Sequence, residues 1–372
     1  MPEDKIVKDR RLTRWQRIGV ASLLVLAAFM MGGVIFVASG VYNIGADRDH
    51  WSVTNLIITI LRDRSIAAAA GDVKAPPLDD PDLYLLGEQH YVGGCATCHG
   101  TPGQPLNPIY RNMLPNPPDL TGAFSHYSAE ELFWIVKNGL KFTGMPAWAG
   151  EGRSDEVWSV VAYLKQLHQT PLSGETRPEP TLPRQQEVRG LGTLPLENCV
   201  RCHGDAQTGP VSALVPTLQN LPQAYLKRAL EEYRAGTRPS GIMEPVAYEM
   251  TDAEIEKLAE YYTGLPVEAP TDIAPGPLLE QGRRIAESGV PEHDLPACNS
   301  CHNGSSPQIP TLAGQSARYI ANQLQLWRQP DYRDTPPYGS LMASIAQRVS
   351  EDDALAVGAY YASQPAGGTA PP

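Results

Sequence analysis

The apolar pattern of this chain changes regime near its start. From Ile18 to Ala46 no residue is charged, and Ile18–Val41 is a run of 24 mostly apolar positions. About 20 helical residues cross the hydrocarbon core of a bilayer, so this run predicts a transmembrane helix over 18–41. Basic residues precede it, and Trp15 and Tyr42 fall where interfacial aromatics sit. By the positive-inside rule, 1–17 is cytoplasmic and everything beyond the span is outside. The competing reading is a cleaved leader with Val37-Ala38-Ser39 as processing site, for which the apolar core is long. Over 51–66, Trp51, Leu56, Ile57, Ile60 and Leu61 recur at roughly helical spacing. That stretch is too short to span and predicts a helix lying on the membrane or on the first domain.

The rest of the chain breaks into short amphipathic segments. Three helices are predicted with N-cap signals at their starts and tyrosines near their ends: SDEVWSVVAYLKQL from Ser154, TDAEIEKLAEYYTGL from Thr251 and SEDDALAVGAYYASQ from Ser350. Thr251 with Glu254 reads as a capping box. Proline-rich stretches, PLSGETRPEPTLPRQ and VEAPTDIAPGP, separate the segments as linkers. Two segments resemble one another: PTLQNLPQAYLKRALEEYR from Pro216 and PTLAGQSARYIANQLQLWR from Pro310.

Length and charge narrow the picture. With 372 residues, 33 Gly, 35 Pro and only 7% aromatics, several small loop-rich domains fit better than one large core. The formal charge is −11; residues 1–17 hold six basic and three acidic groups, which leaves −14 on the remainder. An exported portion so acidic argues against nucleic acid as a partner.

All 6 cysteines fall in three identical spacings: Cys95-Ala-Thr-Cys98-His99, Cys199-Val-Arg-Cys202-His203 and Cys298-Asn-Ser-Cys301-His302. A disulfide framework would not repeatedly place His directly after the second Cys. A closed zinc site needs a second local pair, and these pairs lie about a hundred positions apart. Thioredoxin-like redox use needs a βαβ context that the pattern lacks. C-x-x-C-H is the attachment signature of c-type haem: both thiols bond the porphyrin and the adjacent imidazole ligates iron. Three covalent haem c groups are therefore expected.

At these motifs the chain resembles the class I cytochrome c family, over nearly everything after Asp79. The resemblance implies an all-α fold: three tandem cytochrome c domains, 79–171, 187–266 and 278–364, behind one transmembrane helix. Between and around them lie a connector at 42–78, linkers at 172–186 and 267–277, and a tail at 365–372. In the family a C-terminal helix crosses a helix that precedes the motif. YLLGEQHYVGG and EQGRRIAES supply such pre-motif helices in units one and three, whereas VRGLGTLPLEN in unit two implies a short or distorted one. Units two and three are similar to the tandem dihaem cytochromes of the c-four class.

The resemblance also implies a methionine as sixth iron ligand, which gives a low-spin electron-transfer centre. Met145, in a Gly-Met-Pro turn, matches that position in unit one. His203 to Met243 and His302 to Met342 both span 40 residues, and both methionines lie eight residues before the final helix's cap, which assigns Met243 and Met342. Met113 follows His99 by only 14 residues and is read as a packing residue. Met250 is read as a helix-entry packing residue equivalent to Val349. His50, His90, His126, His168 and His293 read as surface or loop residues, and no catalytic constellation is visible. The expected function is a single-span triheme cytochrome c of a bacterial inner membrane. Its haem domains would lie in the periplasm and relay electrons between redox proteins such as a periplasmic dehydrogenase and quinone or a terminal oxidase. The alternatives are a fixed subunit of an oxidase or quinol-oxidising complex and, from another class, a peroxidase-like or gas-sensing protein.

Overall fold

The structure is a computed structural model, and it describes residues 13–102, 104–170, 196–266, 276–330, 332–333 and 336–366. Most of the basic N-terminal segment, the first proline-rich linker, most of the second, most of the pre-motif segment of unit two and the end of the tail lie outside the described residues.

Helix α1 (Arg14–Ser39) opens with a reciprocal capping box between Thr13 and Gln16 and ends at Gly40, whose φ of 65° is open to glycine. Its 26 residues reach about 39 Å at 1.5 Å per residue, and none is buried. It is long and apolar enough to cross a membrane. At its end Trp51 packs on Phe36 and Tyr42, with ring centroids 5.7 and 5.1 Å away. Helix α2 (Ser52–Ala70) then runs onto the first helical unit. Ile66 and Ala70 are buried there, while Leu56, Ile57, Ile60 and Leu61 stay exposed.

The remaining elements are helical, with no β-strand among the described residues. They gather into three groups, each around one C-x-x-C-H segment. The first holds α3 (Pro81–His90), a π-helical turn Tyr91–Cys95, α4 (Ala96–His99), α5 (Pro108–Arg111), α6 (Ala129–Asn138) and α7 (Ser154–Gln169). The second holds α8 (Glu197–His203), α9 (Gln223–Arg234), α10 (Met243–Tyr248) and α11 (Asp252–Thr263). The third holds α12 (Pro277–Ser288), α13 (Ala317–Trp327), α14 (Tyr338–Ala346) and α15 (Glu351–Ala362).

The final helices sit where the pattern predicts. In α7, Val157, Val160, Val161, Leu164 and Leu167 form one buried stripe, each worth about 1.5–3 kcal/mol of burial. The Thr251–Glu254 capping box forms, and Ser350 caps α15 through the Asp353 N–H. Ser154 departs from expectation: the N-cap is Arg153, with no side-chain cap, and Ser154 is already helical. The first turn is held instead by the Arg153 guanidinium, 2.9 Å from Asp155 and 2.8 Å from Glu156.

Close helix crossings order the first and third groups. Gly87 of α3 lies against Ser159 of α7, and Gly282 of α12 lies against Ala356 of α15. A Cβ at either glycine would meet the facing carbonyl oxygen at 1.8 or 1.9 Å, so only glycine fits. The three groups also pack on one another. The repeated Pro-Thr-Leu segments face each other: Asn220 Nδ2 donates to Ala313 O (2.7 Å), Thr311 Oγ1 to Asn220 O, and Thr217 N to Gln315 Oε1 (3.1 Å). At the start of α3, Asp82 accepts from Ala213 N and Ser212 Oγ, both at 2.8 Å, and pairs with Arg318 at 2.6 Å.

Candidate haem sites

Each motif is held by a short helical turn, and each histidine is oriented by the same kind of bond. His99 Nδ1 lies 2.8 Å from Pro118 O, His203 Nδ1 3.1 Å from Pro216 O, and His302 Nδ1 2.8 Å from Pro310 O. A carbonyl oxygen only accepts, so Nδ1 carries the proton and Nε2 keeps its lone pair for a metal. Burial lowers the proton affinity of His203 and His302, which keeps both imidazoles neutral.

The spacing from His to Pro is 19, 13 and 8 residues, which hides the equivalence of the three carbonyls. A readable signal was nevertheless present, because each proline opens a Pro-x-Leu triplet: Pro118-Asp-Leu120, Pro216-Thr-Leu218 and Pro310-Thr-Leu312. The three leucines pack in the cores of their own groups. Tyrosines of the neighbouring helices close the turns: Tyr91 OH donates to Gly100 O (2.7 Å), Tyr262 OH to Gly204 O (3.3 Å) and Tyr361 OH to Asn299 Oδ1 (2.7 Å).

Three of the thiols are deactivated by burial. Burial pushes Cys95 and Cys298 up to about 11 and Cys199 up to about 12. Thiol–disulfide chemistry needs the opposite, a lowered thiol pKa. Among the described residues no three His, Cys, Asp or Glu side chains converge on a bare metal ion. Thioether attachment with one imidazole per site suits this donor set better.

The methionines are placed unequally. Met342 lines one apolar cavity together with Cys298, Cys301 and His302, so the third group brings its full expected set together. Met145 is half-buried in a turn fixed by its own N–H to Thr143 Oγ1 (3.1 Å) and by Leu140 N to its carbonyl (3.2 Å). Met113 packs on that turn, its Cε 2.5 Å from where a Cβ on Gly144 would lie. Met243 opens α10 with its N–H on Ser240 Oγ at 3.0 Å. Met250 packs on Leu196, Val200 and Leu258, and its counterpart Val349 is buried in the third core.

Two features escaped the sequence reading. His90 is not a surface or loop residue: it is buried in α3, with Nδ1 on Ser159 Oγ at 2.9 Å and its ring 5.9 Å from Trp148. Burial, with the Arg153 charge adding, pushes it down to about 3. The second feature is a pair of arginines whose Nε atoms are buried. Arg238 is 5% exposed and stacks 4.6 Å over Tyr233; its Nη1 reaches Tyr225 OH at 3.4 Å, and its Nε has no partner. Arg228, which lines the cavity of the third motif, is half-buried and already pairs with Glu232 at 2.7 Å, while its Nε has no partner. A buried cation such as Arg238, whose contacts are tyrosine rings and a tyrosine hydroxyl, calls for an anion, and the propionates of haem c supply one. The residues fit the group.

The comparisons agree. The family model for cbb3-type cytochrome c oxidase subunit III matches residues 83–164, and that for cytochrome c matches 192–265. The thiosulfate dehydrogenase electron acceptor of Stutzerimonas stutzeri (strain A1501) is 34% identical over 170 residues, 44% of this chain and 78% of that protein. The chain belongs to the cytochrome c family. Cytochrome c4 of Azotobacter vinelandii is 29% identical over 177 residues, covering 44% of this chain and 82% of that protein. The solved Acidithiobacillus ferrooxidans cytochrome c4 is 27% identical with a TM-score of 0.41, over 45% of this chain and 99% of that one. As a member of this family the chain is an electron carrier that binds haem c covalently.

Proposed function

We propose that the protein is a membrane-anchored triheme cytochrome c acting on the periplasmic side. Its domains would be 79–171, 187–266 and 278–364, and its thioether positions Cys95, Cys98, Cys199, Cys202, Cys298 and Cys301. The iron ligand pairs would be His99 with Met145, His203 with Met243, and His302 with Met342. The observation that carries this reading is the threefold recurrence of one arrangement: C-x-x-C-H with the His Nδ1 proton held by a proline carbonyl. Haem c supplies a one-electron Fe(III)/Fe(II) couple; the chain orients the imidazoles, presents thioether sulfur, and offers Arg228 and Arg238 to the propionates.

Helix α1 is the proposed anchor, with 1–17 in the cytoplasm. The relatives named as electron acceptors of thiosulfate dehydrogenase support a periplasmic dehydrogenase as donor, delivering onward to quinone or a terminal oxidase. A second reading, a fixed subunit of an oxidase complex, is favoured by the cbb3 subunit III match over the first unit. Intact mass and haem-stained denaturing gels test the count: three covalent haems are expected, and two or fewer from a host with a competent attachment system would overturn it. Thiosulfate dehydrogenase mixed with thiosulfate should reduce the full chain in detergent. Co-purification with oxidase subunits and no such reduction would favour the second reading.

A further inference from the structure

Glu156, in the first turn of α7, is 4% exposed, yet it serves neither the core nor a haem motif. Four donors converge on its two oxygens. Oε2 accepts from Trp148 Nε1 (2.9 Å) and Gly241 N (2.7 Å), while Oε1 accepts from Ser240 Oγ (2.6 Å) and faces Arg153 Nη1 (2.8 Å). Burial raises the carboxyl and the Arg153 guanidinium opposes it. Every group aimed at it is a donor, which is the environment of a carboxylate.

The chain positions of these donors give the cluster its meaning. Trp148 lies three residues after Met145, and its backbone N–H donates to Lys137 O at 3.1 Å. Ser240 lies three residues before Met243, and its Oγ accepts from Met243 N (3.0 Å) and Ile242 N (3.3 Å). The two methionine turns also touch directly: a Cβ on Gly241 would lie 2.2 Å from Trp148 Nε1, and one on Gly150 would lie 2.4 Å from Gly241 N. Among the described residues no hydrogen bond of this cluster reaches Met342; the cluster meets the third group through Asn322 on Asp155.

We infer that Glu156 is a positioning residue joining the methionine turn of the first unit to that of the second, so that sulfur ligation at two haems is held by one buried carboxylate. The inference rests on the proposed assignment of Met145 and Met243 as ligands. Hydrogen bonds to a charged group are stronger than those between neutral groups. Loss of one such bond from a turn raises its opening equilibrium on the order of tenfold, since 1.4 kcal/mol is a factor of ten. An exogenous ligand that replaces Met on ferric haem binds only the open form, so its apparent affinity rises by the same factor.

The test is imidazole titration of the oxidised full chain in detergent, read from the near-infrared Met–ferric haem absorption. Met145→Ala, Met243→Ala and Met342→Ala assign the three phases; a methionine variant that leaves its phase in place refutes the ligand assignment itself. With phases assigned, Glu156→Ala should tighten imidazole binding on the order of tenfold at the first and second haems and leave the third unchanged. Trp148→Phe removes one bond on the first side only, and Ser240→Ala releases only the second, so each should shift one phase. Glu156→Gln keeps the shape of the side chain, but its amide can face only one pair of donors, so at least one phase should move. Should Glu156→Ala fail to fold, the Gln, Phe and Ser240 variants still decide. Unchanged phases in those variants, or equal shifts at all three haems, would overturn the inference.

Discussion

The glycine crossing of α12 on α15 makes a quantitative prediction for the third unit. A Cβ added at Gly282 would lie 1.9 Å from Ala356 O, 2.5 Å from Ala356 C and 2.9 Å from Tyr360 Cβ. Ordinary contact begins near 3.4 Å, and the obstacle is backbone in mid-helix, so the helices must part by about 1.5 Å. Overpacking of this kind costs about 1–3 kcal/mol, here at the upper end. Replacing Gly by Ala within a helix returns about 1 kcal/mol. The net expectation for Gly282→Ala is therefore a loss of about 2 kcal/mol. The parting would also pull on Tyr361, whose hydroxyl is bonded to Asn299 inside the third motif at 2.7 Å. Guanidinium unfolding followed by haem absorbance should show a lowered midpoint for the transition of the third unit. Gly264→Ala is the control: its φ is −82° and its Cβ would meet nothing closer than 3.4 Å. It should be neutral or stabilise by about 0.4–1 kcal/mol. A Gly282→Ala protein within 0.5 kcal/mol of the parent, about the scatter expected of an ordinary surface change, would refute the close-crossing argument.

Two further outcomes follow from the sites. His90 is buried neutral, its pKa near 3 when folded against about 6.5 when unfolded, so its stabilisation is complete above pH 6.5 and is lost as pH falls towards 3, by about 1.4 kcal/mol per unit. His90→Gln should flatten that part of the acid-unfolding curve, and parallel curves for the two proteins would count against the buried imidazole. Met243→Ala should abolish the near-infrared Met–ferric band of the second haem and lower its potential, whereas Met250→Ala, which only empties a packing site against Leu196 and Leu258, should keep the band at a cost of about 2–5 kcal/mol or less in stability. The reverse result would exchange the two assignments.

The sequence made the helices legible wherever one element's own period carried the signal. The uncharged run of α1 and the stripe Val157–Leu167 needed nothing beyond local pattern. The haem motifs were legible because two thiols and an imidazole at fixed spacing have few other uses. What stayed hidden depends on partners distant in sequence. His90 looks like a polar residue in a short helix until Ser159, 69 positions later, is laid across it. Glu156 reads as an ordinary first-turn acid until Ser240 arrives from another unit. The Ser154 expectation failed for the same reason: Arg153, drawn into that inter-unit cluster, took over the start of α7. Pro118 was missed because its loop is longer than the other two, although its Pro-x-Leu triplet was in plain view.

The way unit one sits on the other two follows from comparing its contacts. Arg318 pairs with Asp80 and Asp82 at the start of α3, but its side chain is 43% exposed, and pairs in such water-rich surroundings contribute about 0–1 kcal/mol and weaken with salt. The Arg153–Asp155–Glu156 cluster is of another kind. It reaches the second unit through Pro239 O, Ser240 and Gly241, and the third through Asn322 on Asp155 at 3.1 Å. Buried ions gain little over an apolar contact, yet removing one partner strands the other in low dielectric at a cost of about 3–5 kcal/mol. Such a cluster therefore contributes less net stability than specificity: it tolerates one relative placement of the three units and penalises the rest. For a carrier whose electron transfer depends on how its centres are spaced, a fixed placement is the property that matters. The buried carboxylates supply it next to the methionine turns, where a small displacement would be felt by the proposed iron ligands first.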